Sequence, residues 1–335
     1  MARSPNRTES VYFLGAGFSK AFGLPNTAEL LTEAHNLASE NQHWGISKNL
    51  NARLLEAYKY FYPDEGSNFR PPVGDFFTVL STYMDVGEGL PQGFSDSKLL
   101  DELKFVIANI ICNRLKHVDE NLKDNHEQLD AIIQPGNTVI TSNWDYLIER
   151  ACVQRNVPFR LRRGESGSAL TILKLHGSID WTLKDNSKKP WGKSNYYSLY
   201  DLIAEVSRHK NISGDKIGRC LAIETPTRGY QLVKGATSHP YMLTMARGKS
   251  ESIAPLQEIW VDAYSALSRA SSLEIIGYSL PDDDVEIRTL LRAGVRRGSR
   301  FPKVSVVNPA PDVHVRVRQQ IHSKISSNYA SVSCL

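Results

Sequence analysis

Small and polar residues follow five apolar segments of the chain, and together they have the chemistry of a ligand site. In a parallel sheet, residues of this kind meet outside the carboxyl ends of the strands, where ligands bind. Turn-forming residues also end strands that bind nothing, so each group alone is ambiguous, but the five together favour a nucleotide-binding cleft. The five groups are Gly15 to Ser19, Ser142 with Asn143 and Asp145, His176 with Gly177 and Ser178, Gly277 with Tyr278 and Ser279, and Asn308 with Pro309.

Two of these side chains are suited to catalysis. The imidazole of His176 has an unperturbed pKa of about 6.5, which suits a general base near neutral pH. The carboxamide of Asn143 donates and accepts hydrogen bonds at once. The position of His176 directly before a Gly-Ser pair favours a functional role over a structural one. The other histidines lack this context: His35, His43, His117, His126, His209, His239, His314 and His322.

The segment 11–25, VYFLGAGFSKAFGLP, is an apolar run that breaks into glycines and then becomes helical. Gly15 and Gly17 lack side chains where the backbone bends, and the N–H groups of a following helix start attract an anion such as pyrophosphate. The dinucleotide fingerprint expects a third glycine where this chain has Lys20. An ordinary strand-to-helix turn gives a similar string, so the remaining strand ends decide between the two interpretations.

Strands and helices alternate over much of the chain. Apolar and β-branched runs predict strands, and apolar residues at helical spacing predict helices. Thr27 is the expected N-cap of the first helix. The alternation predicts an α/β fold with a doubly wound parallel sheet. Strands are expected at 11–14, 138–142, 159–162, 170–175, 272–277 and 303–307, and helices at 27–40, 144–154, 252–270, 283–295 and 311–325.

Two segments interrupt this alternation. Residues 41–130 lack a convincing strand pattern, and helices at 54–62, 75–84 and 98–118 predict a helical layer inserted after the first β-α unit. Residues 177–250 are rich in Gly, Ser, Lys and Asn with few clear periods, which predicts an irregular insertion. We therefore expect a single domain over residues 1–330 with a short tail at 331–335.

Composition restricts the class of protein. The 40 Lys and Arg residues against 36 Asp and Glu give a net charge of +4, and the charges are spread along the chain. Direct nucleic-acid binding is not predicted, because the local basic clusters are most simply solvated surface. These clusters are Arg160 with Arg162 and Arg163, and Arg292 with Arg296, Arg297 and Arg300.

The cysteines and the N-terminus indicate a cytoplasmic protein. The four cysteines are far apart and form no C-x-x-C pair, which argues against a structural zinc site and for buried thiols in a reducing compartment. The N-terminal sequence MARSPNRTES lacks the apolar core of a signal peptide. No apolar run is long enough to span a bilayer, so no membrane association is expected.

Four ordered motifs resemble those of the SIR2-like, sirtuin-related family, and they are closer to its prokaryotic NAD-hydrolysing branch than to its protein deacylases. The motifs are GAGFSKAFGLP, TSNWDYLIE, KLHGSIDW and IGYSLPDDD, and together they span roughly residues 11–310. The resemblance implies a Rossmann-like sheet that binds NAD as a substrate whose nicotinamide bond is cut.

The resemblance also implies a role for each motif position. Asn143 would lie beside the nicotinamide ribose, and His176 would be the catalytic base. Ser279 would contact a phosphate or ribose, and Asn308 would lie near the adenosine ribose. The phosphates would be cradled by Gly15, Ala16, Gly17 and Ser19.

The other motif residues are expected to line the NAD site. Phe18 follows the glycine turn, and Gly23 and Pro25 would end this loop on the nicotinamide side. Asp145 either orients a neighbour or caps the following helix, and the cap is favoured. Asp282 to Asp284 would begin a helix, where its dipole favours acidic residues, and Asp284 would face the cleft. The set is completed by Ser142, Gly277 and Tyr278.

The chain departs from the deacylase pattern at two points. Deacylases of this family carry an Asp-Phe-Arg run after the glycine-proline turn, where this chain has Asn26, Thr27 and Ala28, and they carry four zinc-binding cysteines that are missing here. These differences argue against an acyl-lysine peptide groove. Two alternatives remain: an NAD-dependent protein deacylase or ADP-ribosyltransferase, and a non-catalytic subunit that binds NAD or ADP-ribose.

By resemblance, the expected biological role is that of an effector of bacterial anti-phage defence, which causes abortive infection by depleting NAD. Such an activity is lethal unless it is restrained. We therefore expect regulation by assembly into a homo-oligomer or by a partner protein. Related enzymes are encoded with HerA-type ATPases or with Argonaute-like proteins.

Overall fold

The computed structural model describes residues 9–40, 50–66, 69–86, 98–123, 127–161, 169–179, 182–183, 196–197, 223–225, 229–231, 242–243, 256–282, 284–297, 301–322 and 324–329. Most of the predicted irregular insertion at 177–250 lies outside these ranges, as do the tail at 331–335 and Arg162, Arg163 and Arg300. In chain order the elements are β1 (Glu9–Leu14), α1 (Ala16–Ala21), α2 (Thr27–Glu40), α3 (Leu50–Phe61), α4 (Val73–Val86), α5 (Lys98–Lys123), α6 (Glu127–Ile132), β2 (Thr138–Thr141), α7 (Leu147–Gln154), β3 (Phe159–Arg160), β4 (Leu170–Lys174), β5 (Thr182–Leu183), β6 (Tyr196–Tyr197), β7 (Ile223–Thr225), β8 (Gly229–Gln231), α8 (Gln257–Arg269), β9 (Ala270–Ile276), α9 (Val285–Arg297), β10 (Lys303–Val307), α10 (Pro311–Gln320) and β11 (Ile325–Asn328).

The chain divides into two compact units. The first, here called the sheet unit, comprises residues 1–23, 118–177 and 254–335. The second, here called the helical unit, comprises residues 24–117 and 178–253. Every strand of the large sheet belongs to the sheet unit.

The sheet unit is built on seven parallel strands. Their spatial order is β11, β10, β9, β1, β2, β4 and β3, and each neighbouring pair is parallel. From β1 the chain proceeds to β2 on one side and later to β9 on the other, where Phe13 is in register with Ile140 and Ile275. The strand order therefore changes direction beside β1, which is where sheets of this kind bind ligands. The predicted α/β, Rossmann-like fold is confirmed.

Burial explains why the central strands form where they do. All four residues of β2 and all five of β4 are buried, which is typical of parallel strands covered on both faces. Helices α8 and α9 pack closely at Gly294. A Cβ atom at this position would lie only 2.5 Å from Cβ of Leu267. The apolar stripes of these two helices thus form part of the core of the sheet unit.

The elements differ from the predictions in several places, of which the following bear on the site or the sheet. Helix α7 begins at Leu147 rather than at 144, and the carboxylate of Asp145 in the preceding loop accepts the N–H of Leu147. The last helix ends at Gln320, and the chain then adds an edge strand, β11, that was not predicted. The short helices α1 and α6 were also not predicted as separate elements.

The helical unit contains α2, α3, α4, most of α5 and two short antiparallel hairpins, β5–β6 and β7–β8. Helices α3 and α4 pack through Tyr58 and Phe76, whose ring centroids lie 4.9 Å apart. An ion pair of 3.0 Å joins Arg53 of α3 to Glu102 of α5. The three helices predicted within 41–130 are therefore present as α3, α4 and α5, and each is longer than predicted.

The N-cap of α2 is Asn26, not Thr27 as predicted. Oδ1 of Asn26 accepts hydrogen bonds from the backbone N–H groups of Ala28 and Glu29 at 3.0 and 3.1 Å. The carboxylate of Glu29 in turn accepts from the N–H of Asn26 at 3.0 Å. This reciprocal arrangement is a capping box, and it makes Thr27 the first residue of the helix proper.

Candidate functional site

The glycine turn after β1 packs directly against the turn after β9. The N–H of Gly17 donates to the carbonyl oxygen of Gly277 at 2.8 Å, and the N–H of Gly15 donates to Ile276 O at 3.0 Å. Gly277 has φ of +62°, and a Cβ atom there would lie 2.2 Å from the backbone nitrogen of Phe18. These glycines are therefore required because two backbones meet, in addition to any ligand that they approach.

This packing changes which groups of the turn face a ligand. The N–H groups of Gly15, Gly17 and Phe18 all donate to backbone carbonyls of the protein. The ring of Phe18 is buried and lies 5.3 Å from that of Phe22. Ala16 is half-buried, and it is the residue of the Gly-Ala-Gly run whose side chain reaches the surface. The amides of Gly15, Gly17 and Phe18 are thus already engaged within the protein, and the predicted phosphate cradle would have to use other groups of the turn.

The side chain of Asn143 is anchored by its nitrogen. Nδ2 donates to the carbonyl oxygen of Gly15 and to Oγ of Ser19, both at 2.9 Å. A carbonyl oxygen can only accept, so this contact fixes which end of the carboxamide is the nitrogen. Oδ1 accepts no hydrogen bond from any residue that the structure describes. Asn143 is half-buried, and it presents this oxygen as an acceptor.

Asp145 performs both of the roles considered for it. Oδ1 accepts the N–H of Leu147 at 3.0 Å, which satisfies a donor at the start of α7. Oδ2 accepts the hydroxyl of Ser19 at 2.7 Å. Asp145 and Ser19 are both buried. The loop after β2 is thereby tied to α1, and the Ser19 hydroxyl links Asp145 to Asn143.

His176 lies beside a buried carboxylate. Its Nε2 is 3.9 Å from Oδ1 of Asp284, and the other oxygen of that carboxylate accepts the hydroxyl of Tyr278 at 2.8 Å. His176 is fully buried, and Asp284 and Tyr278 are 6% and 5% exposed. Tyr278 also packs its ring 4.8 Å from that of Phe13. The structure therefore brings Tyr278 and Asp284 to the histidine, whereas the sequence predicted that they line the NAD site.

A buried ion pair lies below the loop that carries Asn143. Nζ of Lys174, the last residue of β4, is 3.1 Å from Oε1 of Glu149 in α7, and it also donates to the backbone oxygen of Asp145. The two side chains are 0% and 2% exposed. Both residues lie within the quoted motifs, Glu149 at the end of TSNWDYLIE and Lys174 at the start of KLHGSIDW, but neither was predicted to be a site residue. A further signal was the charged residue that ends the otherwise uncharged strand LTILK.

Asn308 occupies the end of β10 and is 8% exposed. Its Oδ1 accepts the N–H of Ala310 at 2.9 Å before α10. Its backbone oxygen is 2.7 Å from Nε2 of His314, whose ring lies 4.2 Å from that of Tyr329. His314, for which the sequence indicated no functional context, thus supports the backbone at Asn308.

The remaining predicted site residues differ in exposure. Ser279 is exposed between the buried Tyr278 and Leu280, as a ligand contact requires. Ser142 is buried, and its N–H lies 3.4 Å from Leu14 O. Gly23 is exposed with φ of +92°. Pro25 falls in the helical unit.

The sheet unit has a groove away from these residues. This groove of about 640 Å³ is lined by residues that precede β2 and β3, at the amino ends of the strands, and by the end of α7. Arg155 and Asp130 form an ion pair of 2.6 Å in it. None of the predicted site residues lines this groove. It is therefore not the nucleotide cleft that the sequence predicts, which was expected at the carboxyl ends of the strands.

Metal and thiol chemistry find no support in the described part of the chain. Within it, no group of three or more His, Cys, Asp or Glu side chains is placed to hold a metal ion. Burial raises the pKa of the Cys152 thiol, which disfavours the reactive thiolate. Among the helices described, none is both long and apolar enough to cross a membrane.

Comparison with known proteins finds similarity among solved structures. No protein-family model matches the chain, and no curated protein matches it. A solved structure described as "Structural Basis for the Mechanism and Regulation of Sir2 Enzymes" is similar, with a TM-score of 0.40 and 14% sequence identity over 98% of this chain and 89% of that one. The fold assignment rests on the strand order and register of this chain.

Proposed function

We propose that this protein hydrolyses NAD⁺ at the bond between nicotinamide and ribose, giving ADP-ribose and nicotinamide. The observation that carries the proposal is the double anchoring of Asn143, whose Nδ2 donates to Gly15 O and Ser19 Oγ. Its Oδ1 is thereby directed away from these contacts as a fixed acceptor. A fixed acceptor suits a ribose hydroxyl or the attacking water.

The reaction needs orientation and electrostatics more than a strong acid. Nicotinamide is already a cationic leaving group, so its nitrogen takes the electron pair of the broken C1′–N1 bond and departs neutral. The ribose that remains has oxocarbenium character, which positioned dipoles and charges stabilise. Water then forms the new bond to C1′ and loses a proton to a base.

In this proposal His176 is that base and Asp284 supports it. The Asp284 carboxylate, 3.9 Å from Nε2, stabilises the imidazolium that forms when the base takes a proton. The Tyr278 hydroxyl donates to the same carboxylate at 2.8 Å and holds it in place. Ser279, which is exposed beside them, is then the residue of this turn that contacts a phosphate or ribose.

The biological role in this proposal follows the motif resemblance. An enzyme of this kind depletes NAD as an effector of bacterial anti-phage defence, and it is held inactive until infection by a homo-oligomeric assembly or a partner protein. A HerA-type ATPase or an Argonaute-like protein is the kind of partner that we propose. Purification with and without such a partner tests this role separately from the chemistry.

The chemistry is tested by incubating the purified protein with NAD⁺ and following nicotinamide and ADP-ribose by chromatography. We expect release without any acceptor peptide, and we expect Asn143→Ala and His176→Ala to abolish it while the melting temperature shows that each variant is folded. His322→Ala, in the turn between α10 and β11, is the matched histidine control and should keep the wild-type rate.

Other outcomes point to the other classes of function. Release that requires an acyl-lysine peptide or another acceptor would identify a deacylase or ADP-ribosyltransferase. Tight binding of NAD⁺ without turnover, in the presence of every candidate partner, would identify a non-catalytic subunit. A wild-type rate in either Asn143→Ala or His176→Ala would reject the site.

A further inference from the structure

We propose that Lys174 and Glu149 are positioning residues that hold Asn143 in its reactive orientation. The inference deepens the proposed function and rests on it, because it concerns how the same site is kept in shape. Glu149 ends the motif TSNWDYLIE and Lys174 begins the motif KLHGSIDW, but neither was predicted to be a site residue, and neither is a ligand contact in the proposed reaction.

A continuous series of polar contacts connects the ion pair to Asn143. Nδ2 of Asn143 donates to Ser19 Oγ at 2.9 Å, and the Ser19 hydroxyl donates to Oδ2 of Asp145 at 2.7 Å. The backbone oxygen of the same Asp145 accepts from Nζ of Lys174, which also contacts Glu149 at 3.1 Å. Asp145 is therefore held at its side chain by α1 and at its backbone by β4.

Stability does not account for an ion pair at this position. Both side chains are almost completely buried, at 0% and 2% exposure. Removing two charges from water costs several kcal/mol per ion, and replacing a buried pair with apolar residues is often neutral or stabilising. Because buried pairs in general add little net stability, we explain this pair by the geometry that it imposes.

That geometry joins the two proposed catalytic residues. Lys174 ends β4 two residues before His176, while Asp145 lies two residues after Asn143. The ammonium group donates to the Asp145 carbonyl and to Glu149 in α7, so it ties the β2–α7 loop to the strand that delivers the histidine. Without it, the loop can shift relative to His176, and small displacements of reacting groups are costly in rate.

The direct test replaces the whole pair so that no unpaired charge is left buried. In Lys174→Met/Glu149→Leu we expect a folded protein with a melting temperature close to or above that of the wild type. The KM for NAD⁺ should be little changed, because neither residue contacts the substrate. The kcat should fall about a hundredfold, as expected when a reacting group is displaced by about 1 Å.

A second ion pair provides the matched control. Arg155 and Asp130 also join two elements of the sheet unit, at 2.6 Å, but they lie at the amino ends of the strands. Arg155→Met/Asp130→Leu removes the same kinds of charge and should leave kcat and KM at their wild-type values. If both double variants lose kcat equally, the cause is a general loss of rigidity in the fold, and the proposal is overturned.

Coupling to Ser19 distinguishes positioning from an unrelated effect. Ser19→Ala removes the hydroxyl that connects Asp145 to Asn143. If the ion pair acts through that hydroxyl, the double substitution should lower kcat far less in the Ser19→Ala background than in the wild type. If the factors by which kcat falls multiply instead, the ion pair and Ser19 act independently, and the proposal is overturned.

A milder variant covers the case in which the double variant does not fold. Glu149→Gln keeps the shape of the side chain and an oxygen for Lys174 but removes the charge. It should reduce kcat with little change in KM, and a wild-type kcat would overturn the inference.

A wild-type protein that releases no nicotinamide would reject the proposed function itself, whereas an active wild type with equally active variants rejects this inference alone.

Discussion

The side-chain nitrogen of Asn143 lies 2.9 Å from the carbonyl oxygen of Gly15, so the loop after β2 is fixed by the backbone of the loop after β1. The two strands are neighbours in the sheet. Residues 128 positions apart in the chain are thereby held in one orientation. The glycine turn thus positions the side chain of Asn143.

Asn143→Asp should lower kcat for nicotinamide release about a hundredfold. A carboxylate has no hydrogen to donate, and its oxygen would face the Gly15 carbonyl oxygen, so the side chain must turn away. The rate measured under saturating NAD⁺ checks this. Asn137→Asp is the matched control, because Asn137 Nδ2 also donates to a backbone carbonyl, that of Ala131, at 2.9 Å. The Asn137→Asp variant should lose stability but keep the wild-type kcat. A fully active Asn143→Asp variant would contradict the prediction.

Gly277→Ala should destabilise the protein much more than Gly23→Ala. Both glycines have positive φ, +62° and +92°, which costs an alanine about 1–2 kcal/mol. At Gly277 the new Cβ would also lie 2.2 Å from the Phe18 nitrogen, whereas at Gly23 nothing lies within 4 Å. Urea denaturation followed by circular dichroism measures the free energy of unfolding of both variants. Equal losses of stability would show that the neighbouring backbone moves aside for the new Cβ atom at Gly277.

The sequence predicted the strands of the sheet well where a run of apolar or β-branched residues marks a buried strand. The strand β2, TVIT, is β-branched throughout, and β4, LTILK, is apolar or β-branched except at its final lysine, so the positions of both follow from composition. The strand β11, ISSN, was missed because it has a single apolar residue and lies at the sheet edge. Its strand conformation depends on pairing with β10, which a local pattern does not reveal.

The site was predicted in part for a similar reason. Residues at strand ends, such as Asn143 and His176, follow from the alternation of strands and turns. The partners of these residues do not, because they come from distant elements. A lysine that ends a strand resembles a solvated residue, and only the position of Glu149 on α7 makes burial of Lys174 feasible. Likewise, Asp284 was expected at a helix start and is found beside His176.

Asn26→Ala should cost the helical unit about 1 kcal/mol, the usual value of an N-cap. The change removes the oxygen that accepts the N–H groups of Ala28 and Glu29. Thr27→Ala, one residue later, serves as the control and should alter stability by only a few tenths of a kcal/mol. The free energy of unfolding by urea decides between the two positions. A larger loss at Thr27 would restore it as the cap.

Glu274 is a carboxylate in the middle of the sheet, on β9. It is in register with Tyr12 of β1 on one side and Ser305 of β10 on the other. Burial raises the pKa of Glu274, and Lys303 partly opposes the effect. The pKa of Tyr12 is also raised, by burial first and by the Glu274 charge second. Ionised Glu274 therefore destabilises the folded state.

Glu274→Gln should stabilise the protein at neutral pH and not in acid. Because the folded-state pKa lies above the ordinary value of 4.5, the wild type loses stability as the pH rises through that folded pKa, and an amide does not. The melting temperature of the variant should exceed that of the wild type at pH 7, and the difference should shrink towards zero near pH 4. Glu127→Gln, at an exposed position, should show no gain. A difference that is independent of pH would indicate that packing, rather than ionisation, distinguishes the two side chains.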